Sequence, residues 1–186
     1  MSTRIATADD APQVIPLLLD AIGTIAYWLT GASDEADAAE RLADFFKRPG
    51  NRISYGHVLV AERDGQVAGM LVAYPGDDAG RLDEPYLARM RRDFGDAERV
   101  IVREARDGEY YLDALAVAEA FRGQGVAKTL MEVAERRAAE LGFGRTALIV
   151  EADNERAYGI YARGGYVEDG MLRIGGSDYR RMVKRL

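Results

Sequence analysis

Phe121-Arg122-Gly123-Gln124-Gly125-Val126-Ala127-Lys128 joins an apolar run to an amphipathic one, and the architecture turns on this junction. Two glycines in three positions let a chain reverse sharply, so the first amides of a following helix face outward unobstructed. Those N–H groups and the helix dipole make a pocket for a phosphate or pyrophosphate, with Arg122 and Lys128 adding positive charge beside it. A Gly-x-Gly pattern alone describes a ligand-free turn equally well, because so short a motif recurs by chance. Its flanks are more informative. Upstream, Tyr110 to Ala118 is apolar on both faces apart from Asp113, the pattern of a central strand covered on each side. Downstream, Gly125 to Leu141 predicts a helix with Val126, Leu130, Val133 and Leu141 as its apolar stripe. Glu132 and Arg136 are spaced for an ion pair on it, and Gly142 suits its C-terminal cap. Thr146 to Glu151 then predicts a second strand, completing a strand–helix–strand unit.

Further along, Asn154 to Arg163 predicts a helix that stops at Gly164-Gly165. Tyr166 to Ile174 and Tyr179 to Arg185 predict two strands around Gly175-Gly176-Ser177-Asp178. Toward the other end, Val58 to Glu62 and Val67 to Tyr74 flank Arg63-Asp64-Gly65-Gln66, and Asp-Gly between β-formers signals a hairpin. Thr3 to Thr7 suits a short strand, and Asp9, Asp10 and Pro12 open a helix carrying Val14, Leu17 and Leu18. Ser33 to Lys47 predicts another helix, with Ser33 as its cap and Asp34, Glu35 and Asp37 in its first turns. Glu84 to Phe94 predicts a short amphipathic helix inside a polar excursion running from Asp77 to Asp107. Strands and helices intermix, so the class is α/β or α+β with a mixed sheet. No linker or repeat divides residues 1–186, which are expected to form one domain.

Composition narrows the function. The 48% hydrophobic and 30% charged residues are those of an ordinary globular protein, and a net charge of −6 argues against duplex nucleic acid as the main partner. The chain has no cysteine, which removes disulfides, a thiolate nucleophile and a cysteine zinc site. No apolar stretch reaches the length of a membrane span, and Met1 to Asp10 carries charge where a signal peptide is apolar. The expectation is a soluble, cytoplasmic protein with no membrane partner.

Tyr111-Leu112-Asp113-Ala114-Leu115-Ala116-Val117, followed by Arg122-x-x-Gly125-x-Ala127, resembles the cofactor motif of the GNAT superfamily of acyl-CoA-dependent N-acyltransferases. A second block, Val150-Glu151-Ala152-Asp153-Asn154-Glu155-Arg156-Ala157 with Tyr161 and Gly164-Gly165-Tyr166 beyond it, resembles the family's later strand–helix segment. The resemblance covers about Tyr110 to Val167, and it implies a mixed, mostly antiparallel central sheet flanked by helices. It also implies roles. Backbone groups of Leu115, Ala116 and Val117 would pair with the pantetheine arm of acetyl-CoA as an added strand does. The amides of Arg122, Gly123, Gln124, Gly125, Val126, Ala127 and Lys128 would hold the pyrophosphate, and Asn154 would contact the pantetheine. Tyr161 would protonate the departing thiolate.

Elementary chemistry agrees. A covalent acyl-enzyme needs an activated Cys or Ser, and the chain has no cysteine, a single histidine (His57) and no Gly-x-Ser-x-Gly elbow. Direct attack by a primary amine needs only a neutral nucleophile, a donor for the developing oxyanion and a proton for sulfur, with no metal. For the base, Asp113 is the one charge in an apolar strand, and simple alternation puts it on the face of Tyr111, Leu115 and Val117. A structural ion pair explains it as well. Glu104 and Glu109, just upstream, are weaker candidates. The acceptor could be a polyamine, an amino acid, an antibiotic amine or a protein terminus, and an exposed strand at the C-terminal end could pair two copies into a homodimer. Two rival readings remain. One is a dinucleotide-binding (NAD-type) oxidoreductase, with Glu151 placed to hold a ribose, although Lys128 stands where the third glycine belongs. The other is an acyl-CoA-binding module without catalysis.

Overall fold

The computed structural model describes residues 1–186. Seven strands form one sheet: β1 (Ser2–Ile5), β2 (Val58–Arg63), β3 (Gln66–Pro75), β4 (Tyr110–Val117), β5 (Arg145–Glu151), β6 (Val167–Ile174) and β7 (Ser177–Arg185). Their order is β1-β2-β3-β4-β5-β7-β6, and every neighbouring pair is antiparallel except β4 with β5. The single parallel pair is the predicted strand–helix–strand unit, since only a crossover can join parallel neighbours. Its helix is α5 (Val126–Glu140), which follows α1 (Ala11–Ile22), α2 (Ile25–Thr30), α3 (Glu35–Phe46) and α4 (Ala79–Phe94); α6 (Glu155–Arg163) comes last.

The sheet separates two apolar layers. On one side α1 and α3 bury Val14, Leu18, Leu42 and Phe46 against Val60, Met70, Val72 and Tyr111. On the other, α5 buries Val126, Leu130, Met131 and Ala134 against Leu59, Leu71, Leu112 and Leu148. The β2–β3 hairpin turns at Asp64-Gly65 with positive φ at both residues, 53° and 76°, as a two-residue turn matched to strand twist requires.

Several expectations need correction. Asp34, not Ser33, caps α3: its side chain accepts from Asp37 N at 2.9 Å, and Asp has the same capping chemistry one position on. The segment α2 escaped prediction because six residues carry too little periodicity to register. The helix expected from Glu84 begins earlier, at Ala79, and keeps Pro85 within its length. On α5, Glu132 pairs with Lys128 at 3.8 Å rather than with Arg136. At the C-terminal end β7 inserts between β5 and β6, so the exposed edge there is β6.

The correction that matters most concerns Asp113. Val72 opposes Ala114 but Ala73 opposes Leu112, so Asp113 is the extra residue of a β-bulge. The bulge breaks alternation. Tyr111, Ala114 and Ala116 face the α1–α3 layer, whereas Leu112, Leu115 and Val117 face α5. Asp113 therefore parts from Leu115 and Val117 and turns toward Tyr74, in the α1–α3 layer.

Candidate active site

β4 and β5 pair only at Tyr110 with Thr146 and Tyr111 with Ala147. Beyond those positions each strand follows its other neighbour. β4 runs with β3 as far as Val117, and β5 runs with β7 along its whole length. The divergence opens a cavity of about 720 Å³ between them. Its walls are Asp113–Val117 on one side and Ile149–Glu151 on the other, with the start of α5, one face of α6 and the α1–α2 junction closing it. The edge of β4 that faces β5 is thus stripped of a strand partner inside a cavity, a geometry suited to an extended ligand that pairs with it.

At one end lies the glycine turn. Gly123 and Gly125 have φ of 75° and 82°, a left-handed backbone that disfavours a side chain even where space is open. No backbone N–H from Gly123 to Lys128 has an acceptor in the chain, and Thr129 is the first that does, to Gly125 O at 3.0 Å. Six consecutive free amides at the positive end of a 15-residue helix make an anion cradle. Arg122 donates to Val117 O at 3.1 Å and to Asp20 at 3.0 Å, tying the turn to β4 and α1. Arg122 is the exception among the predicted amides, since its N–H donates to Glu119 O at 3.2 Å. Gln124 keeps its amide free, while its side chain turns out to Arg63 and to Ala120 O and does not line the cavity.

The remaining predicted residues, Leu115, Ala116, Val117, Arg122, Gly123, Gly125, Val126, Ala127, Lys128, Asn154, Tyr161 and Asp113, all line the cavity. Asn154 also caps α6, accepting from Ala157 N at 3.0 Å. Burial alone pushes the Tyr161 phenol up to about 12, so it carries its proton throughout the neutral range.

The opposite end holds a polar cluster that the sequence did not announce. Arg52, 7% exposed, sends Nε to within 3.0 Å of Asp113 Oδ2 and 3.4 Å of Asp83 Oδ1. Its Nη2 and Nε donate to the Tyr74 hydroxyl, which itself donates to Asp113 at 2.9 Å. Beside this group, Tyr111 donates to Glu104 at 2.5 Å. Burial pushes the Glu104 carboxyl up to about 7; Arg52 and the Tyr111 hydrogen bond oppose that, and Asp113 and Asp83 add to it. Burial likewise raises Asp83 to about 6 against the pull of Arg52. Of the upstream candidates, Glu104 lines the cavity, whereas Glu109 is wholly buried against Arg181 and bonds Arg106 N at 2.7 Å. His57 lies outside the cavity.

Glu104 reaches the wall because its loop is pinned. Gly76 N donates to Glu109 O at 2.8 Å, and a Cβ on Gly76 would stand 2.1 Å from Arg106 O, so only glycine admits the loop there. Arg103 bonds Gly76 O at 3.1 Å and Gly108 N bonds Asp77 at 3.0 Å. The Asp77–Asp107 excursion thus delivers Asp83 on α4 and Glu104 on the loop. Sequence offers Glu104 only as a weaker candidate upstream of Asp113, and no local signal marks Asp83. The clue was chemical: polar-tipped tyrosines, Tyr74 and Tyr111, at buried positions of apolar strands, since a buried phenol seeks a partner.

The mixed, mostly antiparallel sheet with a glycine turn opening α5 is the fold that the motif resemblance implies. The model of the acetyltransferase (GNAT) family matches residues 22–166, and the chain belongs to that family. An uncharacterised N-acetyltransferase of Bacillus subtilis, YdgE, is 41% identical over 58 residues, 31% of this chain and 37% of that one. A mycothiol acetyltransferase of Jonesia denitrificans is 44% identical over 62 residues, 33% of this chain. The matched segments span only 37% and 19% of these relatives' lengths. A solved acetyltransferase structure is 30% identical, with TM-score 0.82, over 100% of this chain and 99% of that one. The dinucleotide reading finds no support here, and the sheet explains why: one parallel pair cannot build a doubly wound fold.

Proposed function

We propose that this chain moves an acetyl group from acetyl-CoA to a primary amine by direct attack, both substrates bound together and no acyl-enzyme formed. The observation that carries the reading is the joining, in one cavity, of the free Gly123–Lys128 amides with the unpaired edge of β4. A diphosphate at the amides and an extended amide-bearing arm along β4 together describe coenzyme A. Residues 1–186 are read as one such domain, supported by the single sheet that strands from Ser2 to Arg185 build.

In this route Glu104 takes the proton of the attacking amine. Its carboxyl is raised to about 7, so its basic form is present at neutral pH while it keeps useful proton affinity. Asp113, the base expected from sequence, is committed to Arg52 and Tyr74 and shapes the site instead. Main-chain N–H groups on the open edge of β4 would meet the developing oxyanion. Tyr161, protonated and on the cavity wall, would give its proton to the leaving sulfur. None of these steps calls for a metal. The acceptor is an amine that tolerates carboxylates close to it, with the apolar α1–α2 wall of Leu18, Ile22 and Ile25 opposite.

Titration calorimetry with acetyl-CoA, NAD and NADP, followed by a thiol-release assay over a panel of amines, tests the reading. Binding of acetyl-CoA alone, with amine-dependent thiol release, is the expected result. Binding of a dinucleotide, or thiol release that no amine accelerates, would overturn it.

A further inference from the structure

Two carboxylates stand at the acceptor end of the cavity, and each receives a hydroxyl from a fully buried tyrosine: Asp113 from Tyr74, and Glu104 from Tyr111. They differ in one respect. The Arg52 guanidinium pairs with Asp113 and Asp83 and makes no ion pair with Glu104. We propose that Asp113 and Tyr111 are positioning residues for Glu104: Asp113 holds the Arg52 cation to itself, and Tyr111 fixes the Glu104 carboxyl at the cavity wall. This rests on the reading of Glu104 as the base.

Placement makes the division possible. Asp113 lies on the Tyr111 face of β4, the α1–α3 side, where its carboxylate reaches Arg52 and Tyr74, while Glu104 makes no ion pair with that cation. A base neutralised by an arginine resists protonation and accepts poorly from an amine. With Asp113 in place, the charged and titratable groups facing Glu104 are Arg52 from the segment before β2, Tyr74 on β3 and Asp83 on α4, together with Asp113 and Tyr111 on β4 and Tyr179 on β7. Arg52 and the Tyr111 hydroxyl favour the ionised carboxylate, and Asp113 and Asp83 disfavour it. Unlike environments on neighbouring carboxylates are what separate a structural acid from a working one.

The two positioning residues therefore push in opposite directions, which a merely structural role would not do. Asp113→Asn removes a negative neighbour and frees the Arg52 charge, so Glu104 should titrate at lower pH. Tyr111→Phe removes the hydrogen bond to the ionised form, so Glu104 should titrate at higher pH. Carbon-13 NMR of the glutamate carboxyls, with Glu104→Gln to assign the resonance, reads both shifts without any turnover. The acidic limb of kcat/KM against pH reads the same groups in the reaction. Opposite movement of the NMR midpoint in the two variants is the expected result. A midpoint unmoved in either variant, or moved the same way in both, overturns the inference. Opposite NMR movement with a fixed kinetic limb would uphold the positioning and overturn Glu104 as the base. If Asp113→Asn does not fold, Tyr111→Phe alone decides: an upward midpoint upholds the inference, and any other result overturns it.

Discussion

At the Arg122–Lys128 end of the cavity the functional groups are main-chain amides presented by a single turn. At the Glu104–Asp113 end they are side chains from the segment before β2, from β3, α4 and β4, and from the loop before β4. The first end depends on backbone conformation at the glycine turn. The second depends on which side chains the fold brings together. Recognition of a ligand through backbone groups suits the first construction. A chemistry that must be tuned to an acceptor suits the second.

Substitutions at the two ends should separate along that line. The largest effect is expected from Glu104→Gln: kcat/KM falls about 10³-fold, while acetyl-CoA affinity measured by calorimetry stays near the wild-type value. Near-normal turnover would mean that the acceptor end supplies no base. The same variant changes how stability depends on pH. Burial raises Glu104 from 4.5 to about 7, so the folded state binds this proton more tightly than the unfolded chain. Its contribution is complete at the low end of that window and is lost as pH rises through about 7. Urea midpoints compared at about pH 5 and about pH 8 should therefore differ less in Glu104→Gln than in wild type. An unchanged difference would place Glu104 in solvent.

Tyr161→Phe comes next, with turnover down about 10²-fold and cofactor affinity unchanged, because it removes a proton donor used only as sulfur leaves. Unaltered turnover would remove Tyr161 from the reaction. At the cradle, Gly125→Ala forces a side chain onto a φ of 82°, at a cost of about 1–2 kcal/mol. Acetyl-CoA affinity should fall about tenfold as the amides shift, and a competitive unfolding assay would separate that from lost folding. The smallest effect belongs to Lys128→Ala. Its side chain is 81% exposed, so affinity should change no more than about fivefold, and less at high salt. A large loss there would show that the cradle works through side-chain charge, and the contrast between the two ends would fail.

Legibility followed the same division. The glycine turn, the strand before it and the helix after it are local features, and free amides run from Gly123 to Lys128 within the stretch that sequence singled out. Asn154 and Tyr161 sit on one short helix and face one cavity, as their spacing in the second motif block implies. Asp113 shows the limit. Its place on β4 and its side with Tyr111 were readable, but a one-residue bulge parts it from Leu115 and Val117, and alternation carries no sign of an insertion. Glu104 lies in a loop without periodicity, and its importance comes from Tyr111, Arg52 and the close approach of the loop at Gly76.

From sequence alone follow the mixed sheet with one crossover, the glycine turn that opens α5, and the exclusion of a thiolate nucleophile. Short-range backbone preference and apolar periodicity are written within a few residues of each other. The tertiary structure alone decided that β4 and β5 part after two residue pairs, and that Arg52 spends its charge on Asp113 rather than Glu104. Both outcomes depend on which distant segments pack together, and a carboxylate's proton affinity is set by its neighbours in space.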